Sequence, residues 1–218
     1  MYPPISYVIR DQQFWLTAER CLYWEGPKCL IVSDLHFGKT GHFRRAGIAV
    51  PPEVYKEDLH RLWQQIQYFQ PEEVIFVGDL FHSRSNLEHG WFRKWRHSQP
   101  WLKMHLVIGN HDILGQKDYE DMDLIIHKQR FILGEFCFVH DLLPEDLVDV
   151  YYYISGHIHP GIRLAGPGRQ SLRFPCFYFS AHFAILPAFS RFTGIALIEP
   201  KQGENVFAIV ENKLILVN

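Results

Sequence analysis

The chain has 218 residues, of which 47% are hydrophobic and 21% charged, and this composition excludes an intrinsically disordered protein. The length fits one domain, which we expect to span residues 1–218. The formal net charge of −2 excludes a uniformly basic surface, so binding to nucleic acid would depend on a local positive patch.

The first half of the chain predicts a parallel β-sheet covered by helices. Short alternating segments before residue 25 favour antiparallel strands. Apolar residues then recur at steps of three and four from Tyr55 to Phe69, which predicts a helix that ends before Pro71. Three buried strands and two helices are predicted in alternation, at 28–33, 55–69, 73–77, 86–98 and 104–108. This βαβαβ order indicates parallel strands with helices on the faces of their sheet.

The second half predicts a different kind of sheet. From about residue 123 onward, aromatic and β-branched residues lie in short runs with few helical signals, which is typical of a mostly antiparallel sheet. Residues 206–217 predict a hairpin that turns at 211–213. The fold class expected is α/β, with two packed mixed β-sheets flanked by helices in a four-layer αββα sandwich.

Cysteine usage and the N-terminus bear on the cellular compartment. Cys21, Cys29, Cys137 and Cys176 form no C-x-x-C pair, so we expect small buried hydrophobic residues rather than zinc ligands. The first ten residues lack the basic and apolar regions of a signal peptide, and no apolar run reaches 18 residues. We therefore expect a cytoplasmic protein without a membrane partner.

Residues of the types that bind metals cluster directly after the predicted strands. The clusters after the three buried strands are Asp34 with His36, then Asp79, then Asn110, His111 and Asp112. Two later runs end in His140 and in the pair His157 and His159. Because sites in open α/β sheets lie beyond the carboxyl ends of strands, these side chains should converge. Residues two apart in extended backbone point the same way, so Asp34 and His36 could face one ion.

The order D-x-H, G-D, G-N-H-D, H and G-H-x-H resembles the calcineurin-like metallophosphoesterase superfamily over about residues 31–160. One such motif alone is weak support, whereas five in this order are specific. The resemblance implies two divalent metal ions, one on Asp34, His36 and His159, the other on Asn110, His140 and His157, with Asp79 bridging them. Manganese is the first expectation, with iron or zinc as alternatives, because mixed carboxylate, amide and imidazole ligands suit first-row metals.

The resemblance also implies a reaction. A hydroxide activated by the two metals would attack phosphorus, in the manner of dinuclear hydrolases. His111 would stabilise the transition state and protonate the leaving oxygen, and Asp112 would orient His111. A competing interpretation assigns Asp34, Asp79 and Asn110 to turns after strands, which Asp and Asn favour.

The segments between the ligands resemble a narrower group, the bacterial ligase-associated DNA damage response phosphoesterases. The matching segments are S-D-L-H-F-G-K, G-H-F-R-R-A-G-I and G-D-L-F-H-S. Members resemble nucleases and are typically encoded beside a DNA ligase and a helicase, which implies a DNA substrate and a functional association with those enzymes. Phe37 or Phe43 could stack on a base. The cations that could contact DNA phosphates are Arg44, Arg45, Arg84 and Arg163.

Other functions stay open at this point. A small-molecule nucleotide phosphodiesterase, pyrophosphatase or phosphatase would use the same metal ligands with a differently shaped pocket. A non-catalytic scaffold would keep the metals for stability alone, although retention of His111 argues against it. The aromatic-rich second half could also supply a homodimer surface.

Overall fold

The computed structural model describes residues 2–39, 54–82, 87–166 and 171–217. Within these ranges the strands form a seven-stranded and a nine-stranded sheet, which pack against each other around one apolar core. Phe14 and Ile31 of the first sheet meet Phe138 and Phe177 of the second in that core. The predicted class of two packed mixed sheets is confirmed.

The first sheet combines antiparallel and parallel strands in simple chain order. Its strands are β1 (Ile5–Ile9), β2 (Gln12–Leu16), β3 (Leu22–Trp24), β4 (Cys29–Val32), β5 (Glu73–Val77), β6 (Lys103–Val107) and β7 (Ile125–His127). The pairs from β1 to β4 are antiparallel, as predicted, and those from β4 to β7 are parallel. Leu30 and Val32 pack towards the helices, whereas Ile31 packs towards the second sheet. Burial on both faces explains the unbroken apolar runs of the parallel strands.

The described helices lie on the outer face of the first sheet. They are α1 (Val54–Phe69), α2 (Leu87–His97) and the short α3 (Gln116–Glu120). Leu62 and Ile66 of α1 are buried in the cluster that also contains Val74. Helix α1 ends at Phe69 because Gln70 has a φ of 47° and Pro71 follows, and both features are incompatible with another helical turn. The helices predicted at 55–69 and 86–98 are both present, as α1 and α2.

The second sheet is mixed. Its strands are β8 (Arg130–Leu133), β9 (Phe136–Val139), β10 (Tyr152–Ser155), β11 (Pro160–Ala165), β12 (Ser171–Phe179), β13 (Phe183–Ile185), β14 (Ala196–Leu197), β15 (Asn205–Val210) and β16 (Lys213–Val217). Strands β9, β10 and β13 run parallel to one another, whereas most other pairs are antiparallel. The predicted C-terminal hairpin is formed by β15 and β16. On the outer face, the loop with the 3₁₀ helix Pro144–Asp146 covers Cys137 and Tyr153 through Leu142 and Leu147.

The hairpin of β11 and β12 extends past the end of β10. Ser155, the last residue of β10, pairs with Ile185, which in turn pairs with Tyr178 of β12. Strand β12 is antiparallel to β13, so the residues before Tyr178 lie beyond the level at which β10 ends. That end of β10 is also where the loop 156–159 begins, so the hairpin projects on the side of the sheet that carries this loop.

All four cysteines are buried and free, as expected for small core residues. Burial raises the pKa of the Cys176 thiol to about 12, which keeps it protonated and unreactive at neutral pH. Within the described ranges, no helix has both the length and the apolar character needed to cross a membrane.

Candidate metal centre

Loops from both sheets meet at one edge of the sandwich, beyond the carboxyl ends of β4, β5, β6, β9 and β10. Backbone hydrogen bonds join them directly. The amide of Asp34 donates to the carbonyl of Gly78 at 3.1 Å, and that of His36 donates to the carbonyl of Asp79 at 2.8 Å. On the other sheet, the amide of Gly156 donates to the carbonyl of His140 at 3.1 Å. The expected convergence of the loops is therefore present.

Several residues whose side chains face the site have a left-handed backbone conformation. The non-glycine residues concerned, each with a φ between 50° and 68°, are Asp34, His36, Asp79, His157 and His159. Such residues are uncommon and cluster where function holds the backbone in an unfavourable conformation. The sequence argument that Asp34 and His36 point the same way because their segment is extended was wrong. They converge because each occupies a left-handed turn that aims its side chain at the site.

One group of potential ligands consists of Asp34, His36 and His159, whose ligand atoms lie within 4.8 Å of one another. The Nε2 of His159 lies 3.2 Å from Oδ1 of Asp34 and 3.3 Å from Nε2 of His36. Asp34 and His36 are buried. A carboxylate and two imidazoles at these separations could hold a first-row metal ion.

A second group lies beside the first and contains Asp34, Asp79 and His140. The Nε2 of His140 lies 3.4 Å from Oδ1 of Asp79 and 3.2 Å from Nδ1 of His157. Oδ2 of Asp79 lies 3.9 Å from Nε2 of His36, so its carboxylate stands between the two groups. Asn110 lines a groove of about 440 Å³ together with His140. His159 thus belongs to the first group, whereas His157 lies beside His140 of the second.

The charges of the second group depend on one another. Burial alone would raise the pKa of Asp79, but the hydrogen bond and charge of His140 and the amide of His111 together lower it. Burial opposes protonation of His140, yet the neighbouring Asp79 carboxylate raises the pKa of this histidine to about 9. Burial lowers the pKa of His36 to about 3, because the attraction of Asp34 and Asp79 does not compensate for desolvation. His36 is therefore a neutral imidazole, the form that binds metals.

The hydrogen bonds of the buried Asp34 carboxylate indicate whether these residues fit a metal ion. Its Oδ2 accepts hydrogen bonds from the Ser33 hydroxyl and, at 3.1 Å, from the amide of His157. Its Oδ1 is buried and accepts no hydrogen bond from any residue that the structure describes. A buried anionic oxygen that accepts no hydrogen bond is costly unless a cation neutralises it. The donor set therefore fits divalent metals.

The sequence model of the family described as calcineurin-like phosphoesterases matches residues 27–159, more than half of the chain. The chain belongs to this family. Its members hydrolyse phosphoesters with bound divalent metals, so this protein is a metal-dependent phosphoesterase. The predicted resemblance to the superfamily is confirmed.

One solved structure extends the similarity beyond the family motifs. It is the crystal structure of the Pseudomonas putida nuclease MPE, which is 26% identical in sequence and superposes with a TM-score of 0.82. The match covers 97% of this chain and 100% of the nuclease chain. Comparison with curated proteins gives no match.

Close approach between loops of different sheets requires glycine at two positions of this phosphoesterase. A Cβ atom at Gly156 would lie 2.0 Å from Oγ of Ser33 and 2.5 Å from Oδ2 of Asp34. At Gly78, which has a φ of 76°, a Cβ atom would lie 2.0 Å from Nδ1 of His140. Only a residue without a side chain lets these backbones lie against the ligands of the other sheet.

His111 and Asp112 both lie at the site, but their contacts differ. His111 is exposed, its amide donates to Oδ1 of Asp79 at 2.8 Å, and its ring stacks on that of His82 with centroids 4.4 Å apart. Asp112 is buried and does not contact the His111 ring, which corrects the expected orienting role. Its two carboxylate oxygens accept the amides of Phe81 and Gly109, each at 2.9 Å. Asp112 therefore joins two loops, because both of its oxygens are occupied by backbone amides.

The expected substrate-binding residues are only partly within the described ranges. Arg44, Arg45, Arg84 and Phe43 lie outside them. Arg163 is exposed on β11. Phe37 is 3% exposed and packs in the core beneath the helices, so the expectation that it could stack on a base was wrong.

The second half of the chain supplies backbone supports for the site that sequence reasoning missed. The amides of Leu186, Phe189 and Ser190 donate to the carbonyls of Ser155, Ser33 and Asp34, at 2.8, 2.8 and 3.2 Å respectively. The segment 186–190 therefore links the ligand loops of the two sheets. Main-chain hydrogen bonds have no residue-type signature, so only the structure could reveal this role.

The same segment is anchored by a buried ion-pair network around Arg61 of α1. The guanidinium of Arg61 pairs with Glu19 and Asp58, each at 2.7 Å, and donates to the carbonyl of Phe189 at 3.1 Å. His82 also lies at the site, since its ring lies against His36 and His111. Its position three residues after Asp79 had suggested that it could extend the site.

Proposed function

We propose that this phosphoesterase is a DNA nuclease that holds two divalent metal ions, with manganese as the native metal. The observation that carries the proposal is the similarity to the Pseudomonas putida nuclease, which extends over nearly the full length of both chains. The same coverage supports one phosphoesterase domain over residues 1–218. Two adjacent groups of potential ligands that share Asp34 support a dinuclear centre.

The proposed ligands divide between two ions. Asp34, His36 and His159 would hold one ion, Asn110, His140 and His157 would hold the other, and Asp79, which lies 3.9 Å from His36 and 3.4 Å from His140, would serve both. When bound, such a pair supplies Lewis-acid polarisation of a phosphoryl group and lowers the pKa of water. The protein itself positions the ligands through the left-handed loop residues and the backbone hydrogen bonds between its loops.

His111 is the proposed general acid. Its amide is tied to Asp79 while its ring is exposed, so the imidazole faces the solvent side of the centre, where a phosphoester would enter. In this position its ring can donate a proton to the leaving oxygen. The stacked ring of His82 restricts the orientation of His111.

The cellular context follows from the resemblance in the connecting segments. We place the nuclease in DNA repair as an endonuclease, in functional association with a DNA ligase and a helicase. Arg163, together with Arg44, Arg45 and Arg84, is proposed to contact the DNA backbone.

A second candidate is a hydrolase of small nucleotides. The groove beside Asn110 and His140 has a volume of about 440 Å³, which is within the range of small-molecule pockets. Arg130 and Gln129 also line this groove and could orient a nucleotide.

One substrate panel separates the two candidates. The manganese-loaded protein and the Asp79→Asn variant would be assayed on single-stranded DNA, double-stranded DNA, cyclic nucleotides, mononucleotides and bis-p-nitrophenyl phosphate. A nuclease cleaves DNA and the small diester, and loses both activities in Asp79→Asn. Hydrolysis of nucleotides without cleavage of DNA would instead establish the second candidate.

A further inference from the structure

Two arginines face each other across the projecting hairpin. Arg163 of β11 pairs in register with Arg173 of β12, and both side chains are exposed. Neither forms an ion pair with any carboxylate in the described parts of the chain. Like charges directly opposite each other on a sheet destabilise it by roughly 0.2–1 kcal/mol. The arginine pair therefore does not stabilise the folded protein unless an anion binds there.

The alternation of side chains shows which face carries the pair. Phe174 and Cys176 of β12 pack in the cluster on the outer face of the second sheet. Phe177 and Phe179 pack in the core between the two sheets. Arg173 is an even number of residues from Phe177 and Phe179 on the same strand, so its side chain lies on the same face as theirs. That face is directed towards the first sheet. Arg163, its direct cross-strand neighbour, lies on that face too.

The register gives the position of the pair relative to the metal centre. Tyr178 lies level with Ser155 through their shared neighbour Ile185. Arg173 precedes Tyr178 by five residues, and a strand rises about 3.3 Å per residue, so the pair stands roughly 17 Å beyond the end of β10. Strand β11 begins at Pro160, directly after the proposed ligand His159. The inward face of the hairpin therefore borders the approach to the centre.

We propose that Arg163 and Arg173 form a binding site for the phosphodiester backbone of a nucleic-acid strand, a few nucleotides from the bond that is cleaved. The proposal rests on the proposed nuclease function. Guanidinium groups suit phosphate oxygens because their fixed fork of N–H donors can bind two oxygens at once. A separation of roughly 17 Å corresponds to about five nucleotides at 3.4 Å each, so a mononucleotide could not contact the pair and the centre together.

The test uses the manganese-loaded enzyme and the variants Arg163→Gln, Arg173→Gln and Arg173→Lys. For each protein, kcat and KM would be measured over a series of salt concentrations on a long single-stranded oligonucleotide, a dinucleotide and bis-p-nitrophenyl phosphate. Arg93→Gln, which removes an exposed arginine of α2 on the far side of the first sheet, is the matched control. The melting temperature of every variant shows whether it is folded.

Both glutamine variants should raise KM several-fold on the long oligonucleotide, with kcat retained and with unchanged activity on the two short substrates. The slope of log kcat/KM against log salt should become shallower by about 0.7 for each phosphate that the variant no longer neutralises. Arg173→Lys should keep the wild-type slope, because it keeps the charge. Removal of one of two opposed charges should leave the melting temperature unchanged or raised.

Three results would overturn the proposal. If the glutamine variants match Arg93→Gln on long DNA while the wild type cleaves it, the pair has no such role and the nuclease function stands. An equal loss on bis-p-nitrophenyl phosphate would show an effect on the centre instead of on strand binding. If the wild type hydrolyses the small diester but does not cleave DNA, the nuclease function and the arginine site both fail.

Discussion

Nε2 of His140 lies 3.2 Å from Nδ1 of His157, although the two rings come from loops after different strands. The strands concerned, β9 and β10, are parallel neighbours, so their carboxyl ends reach the same edge. Asp79, from the other sheet, lies 3.4 Å from the same Nε2 of His140. The second group of ligands therefore forms only when the two sheets are packed together, and metal binding should stabilise the packed sandwich.

We expect manganese to raise the melting temperature of the metal-free protein, because a ligand that binds only the folded state stabilises it. Asp79→Asn removes the carboxylate that is proposed to serve both ions and should lower the bound metal from two ions per chain to one or none. Metal content after dialysis, measured by atomic spectroscopy, checks this. Asp121→Asn, on the surface at the end of α3, should keep both ions. Full metal content in Asp79→Asn would contradict the assignment.

His111→Ala should affect substrates according to their leaving groups. A p-nitrophenolate leaves without a proton, so hydrolysis of bis-p-nitrophenyl phosphate should fall modestly. An alkoxide of DNA needs protonation, and cleavage of DNA should fall by about 10²–10⁴-fold, the range typical of a missing general acid. Steady-state rates on the two substrates with matched metal content provide the measurement. Equal losses on both would instead indicate a positional role for this residue.

Gly156→Ala should disturb the contact between the two sheets. Its Cβ atom would overlap the Ser33 hydroxyl and the Asp34 carboxylate, so one loop must shift. We expect a loss of about 1–3 kcal/mol in the free energy of unfolding, typical of overpacking, and weaker metal binding. Denaturant unfolding and metal titration check both. Gly194→Ala, where a Cβ atom meets nothing within 4 Å, should change neither, and similar behaviour of the two variants would refute the steric argument.

His105 should make the stability of the fold depend on pH. It is 3% exposed, its Nδ1 lies 2.9 Å from Nε2 of His127, and its Nε2 lies 3.2 Å from Glu73, which also pairs with Lys103. Burial lowers the pKa of His105 to about 4 from its ordinary value of 6.5, despite the attraction of Glu73. The unfolded chain therefore binds more protons between these two values, and stability should decrease as the pH falls through that window.

His105→Gln should flatten this dependence. The contribution that disappears between pH 6.5 and 4 is of the order of 1–3 kcal/mol, and it should be fully present above pH 6.5. Denaturant unfolding at several pH values provides the measurement. His60→Gln, on the exposed side of α1, should keep the wild-type profile. If His105→Gln retains the wild-type slope, another group is responsible.

The sequence allowed prediction of the features that have a local signature. The apolar runs at 29–32 and 73–77 marked strands buried on both faces, and the step of three and four residues marked α1. Parallel strands end together at one edge of a sheet. The positions of Asp34, Asp79 and His140 directly after strands therefore predicted that these side chains lie close together.

Features that depend on contacts across the sandwich could not be predicted. No local pattern indicates that Asp112 binds two backbone amides rather than His111, or that Phe37 is buried under the helices. The left-handed backbone at His157 and His159 also has no local signature, since residues of this type disfavour that conformation. The arginines opposed on β11 and β12 became visible only with the strand register.

The segment 186–190 has a consequence for attempts to transplant this centre. The match to the family ends at residue 159, and this shorter piece already contains every proposed metal ligand. The amide donors of Leu186, Phe189 and Ser190 lie outside this piece. The carbonyl of Phe189, which accepts a hydrogen bond from Arg61, lies outside it too. A fragment transferred to another protein and ending at residue 159 would therefore contain the proposed ligands but lack the backbone groups that support their loops. The segment needed to build this centre is longer than the segment that identifies the family.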